Sequence, residues 1–247
     1  MARTMQDKPA RGLFITGNDT EVGKTWVGTI IVKSLVAAGH RVGVYKPVSS
    51  DCIYDGQTLV SEDSIALWTA AGSPLTLDHV CPQRFRVPLA PHLAARNEGR
   101  EVSAEQLRQG LSAWTGHCDI VVVEGAGGLM SPISDDEYMA DLALDFGYPM
   151  VVVSANILGA INQTLMTLIS AASFRGGLPV AGVVMNDIRR FQSDLSSESN
   201  VQQIASRSVA PVLGRVYYES DKLDSEVDWF ALAGQSTAAL SLQEPVK

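Results

Sequence analysis

Short apolar runs alternate along this chain with stretches whose apolar residues recur at helical spacing. Residues 13–16, 41–46, 120–123, 150–153, 180–185 and 212–214 are the strand candidates. The longer runs are continuously apolar rather than alternating, which predicts strands covered on both faces. Between them, residues 25–38 keep Val27, Ile30, Ile31 and Leu35 on one helical face and stop at Gly39. Ser61 is placed to cap a helix over 61–71. Ser103-Ala104-Glu105-Gln106 is a capping-box pattern opening a helix to about Trp114, and a further helix spans 160–172 before Gly176-Gly177. Strands alternating with helices predict βαβ crossovers. The expected fold class is α/β, a mostly parallel central sheet with helices on both faces, forming a single domain over 12–247. Residues 1–11 are expected to be a flexible extension and 192–200 a polar, Ser-rich loop. Asp135-Asp136-Glu137 is expected to be a solvated turn, and the acidic stretch after Asp221 a loosely docked tail.

One loop changes the picture from architecture to chemistry. Between the first strand and the first helix stands Gly17-Asn18-Asp19-Thr20-Glu21-Val22-Gly23-Lys24-Thr25. A Gly-bearing loop that ends in Gly-Lys-Thr at a helix start turns backbone N–H groups toward an anion. The Lys reaches terminal phosphates, and the Thr hydroxyl is a hard oxygen suited to Mg²⁺. This is a P-loop, NTPase-like arrangement, with a nucleoside triphosphate as the expected ligand. Five residues separate Gly17 from Gly23, one more than the usual pattern, so Asn18 occupies the usual first-Gly position. Asn tolerates left-handed backbone angles, and the loop is expected to be longer and more ornate.

Composition narrows the partners. A net charge of −8 argues against non-specific nucleic-acid or anionic-membrane binding, although local cations can still hold an anionic ligand. No apolar run approaches the ~18 residues of a membrane span, and residues 1–11 lack a signal-peptide core. Cys52, Cys81 and Cys118 are odd in number and without C-x-x-C spacing. Free thiols in a reducing compartment, with no zinc site, and a cytoplasmic location are therefore expected.

Beyond the loop, Lys46 ends the second strand just before Pro47, where it can reach a phosphate or substrate anion. Asp63 lies at the start of the Ser61 helix, as a metal ligand or as a favourable charge at a helix N-terminus. Glu124 follows a buried strand, the position of an acidic metal-site residue in such proteins. Gly125, Ala126, Gly127 and Gly128 follow and allow close backbone approach to a ligand. Asn186-Asp187 ends another strand, where an amide can meet a base or simply make a turn. Ligands in parallel sheets gather at the carboxyl ends of strands, so the P-loop, Lys46, Glu124 and Asn186, each after a strand, are expected around one crevice.

Taken together, these motifs resemble the dethiobiotin synthetase family, the ATP-dependent cyclo-ligases of biotin biosynthesis. The resemblance rests on the long P-loop, Tyr45-Lys46-Pro47-Val48 with Ser50, Ser61-Glu62-Asp63, Pro91-His92, Glu124-Gly125-Ala126-Gly127-Gly128 and Asn186-Asp187, over about residues 12 to 190. It implies carboxylation of 7,8-diaminopelargonate by CO₂ or bicarbonate, attack of the carbamate on ATP, and ring closure through a carbamic–phosphoric anhydride. It further implies Lys46, Lys24 and Glu21 in catalysis. Thr20, Glu21, Val22, Gly23, Lys24, Thr25, Asp63, Glu124, Gly125, Ala126, Gly127, Asn186 and Asp187 would bind nucleotide. Thr25, Asp63 and Glu124 would hold Mg²⁺, and Thr20, Ser50, Gly159 and Asn162 would face the substrate. The family's two-fold dimer, with the substrate carboxylate at a partner helix N-terminus, implies a homodimer through the helix that starts near Ala160. Three features depart from the family, one being the stretch after Tyr218, which has little recognisable match. Asn18 stands where Thr is usual, and Val216-Tyr217-Tyr218 stands for the usual Ile-Pro-Trp. A nucleotide-switch ATPase of the partitioning or site-selection type shares the sheet and loop, but usually has a second Lys early in the loop, where this chain has Asn18 and Asp19.

Overall fold

The computed structural model describes residues 7–190 and 195–234. The chain order is β1 (Gly12–Gly17), α1 (Lys24–Ala37), β2 (Val42–Tyr45), β3 (Val48–Ser49), β4 (Ile53–Tyr54), β5 (Leu59–Val60), α2 (Glu62–Ala70), α3 (Leu77–Val80), β6 (Gln83–Arg84), α4 (Pro91–Asn97), α5 (Ala104–Gln109) with a 3₁₀ turn (Gly110–Trp114), β7 (Ile120–Gly128), α6 (Met139–Phe146), β8 (Met150–Ala155), α7 (Ala160–Ser173), β9 (Val180–Asn186), α8 (Ser197–Ala205), β10 (Val212–Val216) and α9 (Trp229–Leu232).

Six strands form one all-parallel sheet in the order β10-β9-β8-β1-β7-β2. Every residue of β1, β2 and β8 is buried, so both faces of the sheet centre are covered. Leu13, Phe14, Ile15, Val121, Val122 and Val151 are fully buried and join the main core with Ile31 and Leu35 of α1. Each such side chain contributes roughly 1.5–3 kcal/mol relative to exposure. After β1 the chain moves to β2, returns to β7, and then crosses β1 to lay down β8. The strand order therefore reverses around β1, where parallel sheets open a crevice at their carboxyl ends.

Register then decides which polar residues meet. Ile15 of β1 pairs with Glu124, and Tyr45 of β2 pairs with Val123. Lys46, the next residue after β2, thus comes beside Glu124 although 78 residues separate them. Ser61 caps α2 by accepting from the Ser64 N–H, which fixes Asp63 in the first turn. Ser103 caps α5 through the Gln106 N–H, as its pattern predicts, but the helix tightens to 3₁₀ over its last turn.

Four expectations change. Glu124 and the three glycines around Ala126 continue β7 instead of following it. α8 begins at Ser197, inside the stretch expected to be a loop, because Asn200 and Ile204 bury a face that polar composition conceals. Of the expected solvated turn, Asp135 and Asp136 are exposed, but Glu137 pairs at 2.8 Å with the guanidinium of buried Arg108, which Asp145 also holds at 2.7 Å. The stretch after Asp221 includes α9, whose Trp229 is buried and whose Phe230 stacks on His40 at 4.0 Å. Of the expected flexible extension, residues 1–6 lie outside the described residues. Lys8 packs over the Tyr148 ring, whose hydroxyl donates to the Pro9 carbonyl at 2.7 Å. The last 13 residues also lie outside the described residues. Among the described residues, no helix is long and apolar enough to cross a membrane.

Candidate active site

The loop between β1 and α1 is held from three sides. The Asn18 N–H donates to the Val153 carbonyl at 3.0 Å, and the Leu129 N–H donates to the Gly17 carbonyl at 3.3 Å. The Asn186 side-chain amide donates to the Val22 carbonyl at 2.9 Å. Gly23 opens α1 with φ 83°, and a Cβ there would stand 2.2 Å from the Asn186 amide nitrogen. No other residue type fits that contact and that backbone angle without displacement. The left-handed tolerance expected at Asn18 is used elsewhere, since Glu21 carries the positive φ of 58°. Asn18 instead donates from its amide to the hydroxyls of Ser154, at 2.9 Å, and Thr164, at 3.3 Å. It thereby ties the loop to β8 and to α7.

Behind the loop lies a buried polar cluster. Lys46 Nζ donates to the Asp63 carboxylate and, at 2.7 Å, to Glu124 Oε1. The Thr25 hydroxyl donates to the same Glu124 Oε1 at 2.8 Å. Glu124 is fully buried, and its Oε2 has no hydrogen-bond partner. Burial by itself would lower the Lys46 pKa, but the Glu124 and Asp63 carboxylates outweigh it and hold the ammonium above the ordinary lysine range. Burial pushes Asp63 up, and Lys46 more than reverses this, leaving the carboxyl below its usual range. Lys24 behaves oppositely. Burial is the largest influence and drives its pKa down, opposed by Glu124 and assisted by Lys46. Its ammonium donates to the Asp19 carbonyl at 3.3 Å.

These groups floor a cleft of about 710 Å³. Of the sequence candidates, Thr20, Glu21, Gly23, Lys24, Thr25, Lys46, Ser50, Asp63, Ala126 and Gly127 line it. Glu124 lies beneath the lining, reached through Thr25 and Lys46. Val22 turns its side chain into the core. Gly125 faces α6, where an added Cβ would meet Met139 Cγ at 2.9 Å. Asp187 points away from the cleft. Arg215 grips its carboxylate at 2.7 Å, and the Asn156 amide donates to it at 2.7 Å. Gly159 and Asn162 lie at the N-terminal end of α7, outside the lining. The structure adds Ser49, Asp51, Ser131 and the segment from Pro88 to Ala90, which leads into Pro91 of the resembling motif. The Pro at the first position of α4 is a legible helix start, but nothing in its spacing reveals that the segment before it walls the cleft. Ser131 is placed there because it accepts from the Gly128 N–H at 2.9 Å across the turn after β7.

A second cleft of about 450 Å³ adjoins the first, sharing Thr20 and Ser131, and runs along Gln163, Met166 and Ser170 of α7. On the far side of the loop, the Trp26 indole donates to the Ser220 carbonyl at 2.8 Å, and the Arg215 guanidinium lies 4.7 Å over the Tyr217 ring. Cys52, Cys81 and Cys118 are free thiols, as expected. Burial pushes Cys81 up to about 12 and Cys118 to about 11, so both are thiols rather than thiolates near neutrality.

Thr25, Asp63 and Glu124 form an all-oxygen donor set with one orphaned buried oxygen, which suits a hard cation. Among the described residues, no group of three or more His, Cys, Asp or Glu side chains could hold a metal ion by itself. A cation here would need phosphate oxygens to complete its shell, the usual condition for Mg²⁺.

The AAA domain family model matches residues 11–225. The chain is similar to the ATP-dependent dethiobiotin synthetase BioD of Rhodopirellula baltica, with 40% identity over 222 residues covering 85% of each chain. It is also similar to the protein of that name from Anaeromyxobacter dehalogenans, with 39% identity over 85% of this chain and 92% of the relative. Among solved structures, a putative plasmid partition protein from Borrelia burgdorferi B31 bound to AMPPNP shares the fold. Its TM-score is 0.54 at 12% identity, covering 96% of this chain and 99% of that one.

Proposed function

The chain belongs to the family of ATP-dependent dethiobiotin synthetases, ligases of biotin biosynthesis, and from that premise we propose how its cleft works. The substrate is 7,8-diaminopelargonate. One amine takes up CO₂ to form a carbamate, a carbamate oxygen attacks the γ-phosphorus of ATP, and ADP leaves. The second amine then attacks the carbamoyl carbon of the mixed anhydride, expelling phosphate and closing the ureido ring.

The observation that carries this reading is the convergence of Lys24 and Lys46 on one cleft wall, above Thr25, Asp63 and Glu124. A carbamate approaching a triphosphate brings two anions together, and fixed cations offset that repulsion best where water is scarce. Thr25, Asp63 and Glu124 would hold Mg²⁺, which when bound neutralises charge on the phosphate oxygens. Thr20, Glu21 and Ser50 face the same space and would position the diamine. Ring closure is intramolecular, so orientation supplies much of its rate. The volume is within the range of small-molecule sites. Asn186 would act on the nucleotide side by holding the loop through Val22. Asp187 would act there only through Arg215 and the chain leading to Tyr217. The free thiols accord with a cytoplasmic setting.

We place a two-fold homodimer along α7. Leu158, Met166 and Ile169 are exposed apolar residues on or just before this helix, and Met130 is exposed beside the second cleft. A paired copy would cover them and bring its own Gly159 and Asn162 toward the carboxylate end of the substrate. The expected mass in light scattering is twice 26.4 kDa, and a fully active monomer would refute the arrangement.

The functional test is direct. The protein, diaminopelargonate, bicarbonate, ATP and Mg²⁺ should yield dethiobiotin by mass spectrometry, with one phosphate released per product. ATP hydrolysis indifferent to the diamine, but stimulated by DNA or a protein partner, would favour the nucleotide-switch reading instead.

A further inference from the structure

We propose that the Lys46 ammonium occupies the divalent-cation position of the nucleotide-free protein, so that metal enters only together with the nucleotide. The proposal rests on the reading of Thr25, Asp63 and Glu124 as the metal's protein oxygens, and concerns what fills their midst beforehand.

The ammonium sits among those same oxygens. It donates to Asp63 and to Glu124 Oε1, and that Oε1 also accepts from Thr25. The Lys46 side chain is 4% exposed and that of Glu124 is 0% exposed, so neither charge can turn to water in place. A buried carboxylate needs a compensating cation, and this one has an ammonium in hydrogen-bond contact. A divalent ion bound to Glu124 and Asp63 would stand within a few ångströms of that ammonium. The two positive charges would then compete for one pair of carboxylates, of which Glu124 is cut off from water and Asp63 is half exposed. Lys46 must leave before a metal can settle, and it cannot leave without another anion to receive it.

The other carboxylates of the cleft lining, Glu21 and Asp51, are exposed to solvent and make no contact with Lys46, so neither offers the buried ammonium an enclosed partner. Lys24, the other buried ammonium on its wall, adds repulsion. A terminal phosphate seated on the loop would provide the missing negative charge. The Lys46 side chain could then swing from the carboxylates to the phosphate, while the metal takes the vacated oxygens. The exchange keeps each buried charge compensated throughout. It also makes Lys46 arrive at the phosphate only when nucleotide and metal are both present.

Mn²⁺ is the probe, with the free ion followed by electron paramagnetic resonance. Without nucleotide, the wild-type protein should take up little Mn²⁺, whereas Lys46→Gln and Lys46→Met should bind it at least about tenfold more tightly. Lys24→Met is the control. It removes the same charge from the same cleft without freeing Asp63 or Glu124, and should gain far less affinity than the Lys46 variants, because only its more distant repulsion is lost. With a non-hydrolysable ATP analogue, wild type and Lys46→Gln should both bind Mn²⁺. Equal nucleotide-free affinity in wild type and Lys46→Gln overturns the proposal, as does an equal gain in Lys24→Met. Failure of both proteins to bind Mn²⁺ with the analogue would instead sink the assignment of the metal oxygens. If thermal melting shows that the Lys46 variants do not fold, the wild-type titration decides. One stoichiometric Mn²⁺ bound at micromolar concentration without nucleotide overturns the proposal.

Discussion

Lys24→Ala is expected to lower kcat for dethiobiotin formation by roughly 10²–10³, the scale of removing one preorganised charge from a transition state, while leaving the fold at least as stable. The two halves come from the same observation. Lys24 is 8% exposed, and its hydrogen bond is to a carbonyl rather than a carboxylate. Burial dominates its titration and depresses it, which means that folding works against its charged form. Removing the side chain therefore relieves a cost in the free protein. The same ammonium, on the residue next to Thr25 at the start of α1, is where the triphosphate's terminal charge would fall. A side chain kept at a cost to stability is expected to repay that cost in the reaction. Product formation and thermal melting on one preparation check both halves. Near-normal turnover would remove Lys24 from the catalytic machinery, and a melting point lowered by several degrees would show that its charge is compensated in the free protein.

Glu124→Ala should fail in both respects. Glu124 receives hydrogen bonds from Lys46 and Thr25 and is fully buried. Its loss leaves an enclosed ammonium with Asp63 alone, whose side chain is 46% exposed. Breaking a buried charge pair by deleting one partner costs about 3–5 kcal/mol, a large share of a domain's net stability. Urea unfolding should show a loss of unfolding free energy of that size, read as a lower midpoint, with turnover lost as well. The isosteric Glu124→Gln should recover part of the stability, because its amide oxygen can still accept from Thr25 and Lys46, yet restore little activity. A stable and active Glu124→Ala would contradict both the charge arrangement and its role. The contrast with Lys24 is diagnostic: one residue is held against stability, and the other supplies it.

How much of this was legible in the chain depends on sequence distance. The strand at Leu13–Phe14–Ile15, the helix after Gly23 and the cap at Ser61 are local events, written in adjacent residues and repeated in the structure. The phosphate loop was legible for the same reason, although Glu21 rather than Asn18 takes the left-handed angle. α8 was hidden because its buried face is built from Ser197, Asn200 and Ile204, of which only one is apolar. Glu137 read as solvated because Arg108 lies 29 residues earlier, on another element. Asp187 looked available beside Asn186, but Arg215 of the neighbouring strand β10 claims it.

By itself the sequence determined the α/β class, the anion-binding loop and the residue types able to hold a nucleotide, because these depend on spacings of a few residues and on side-chain chemistry. Only the tertiary structure decided that Lys46 meets Glu124 and Asp63. That meeting follows from β2 lying beside β7 with Tyr45 opposite Val123, and a chain's strand order is set by how whole layers bury their apolar faces, not by the residues that come to lie at the strand ends.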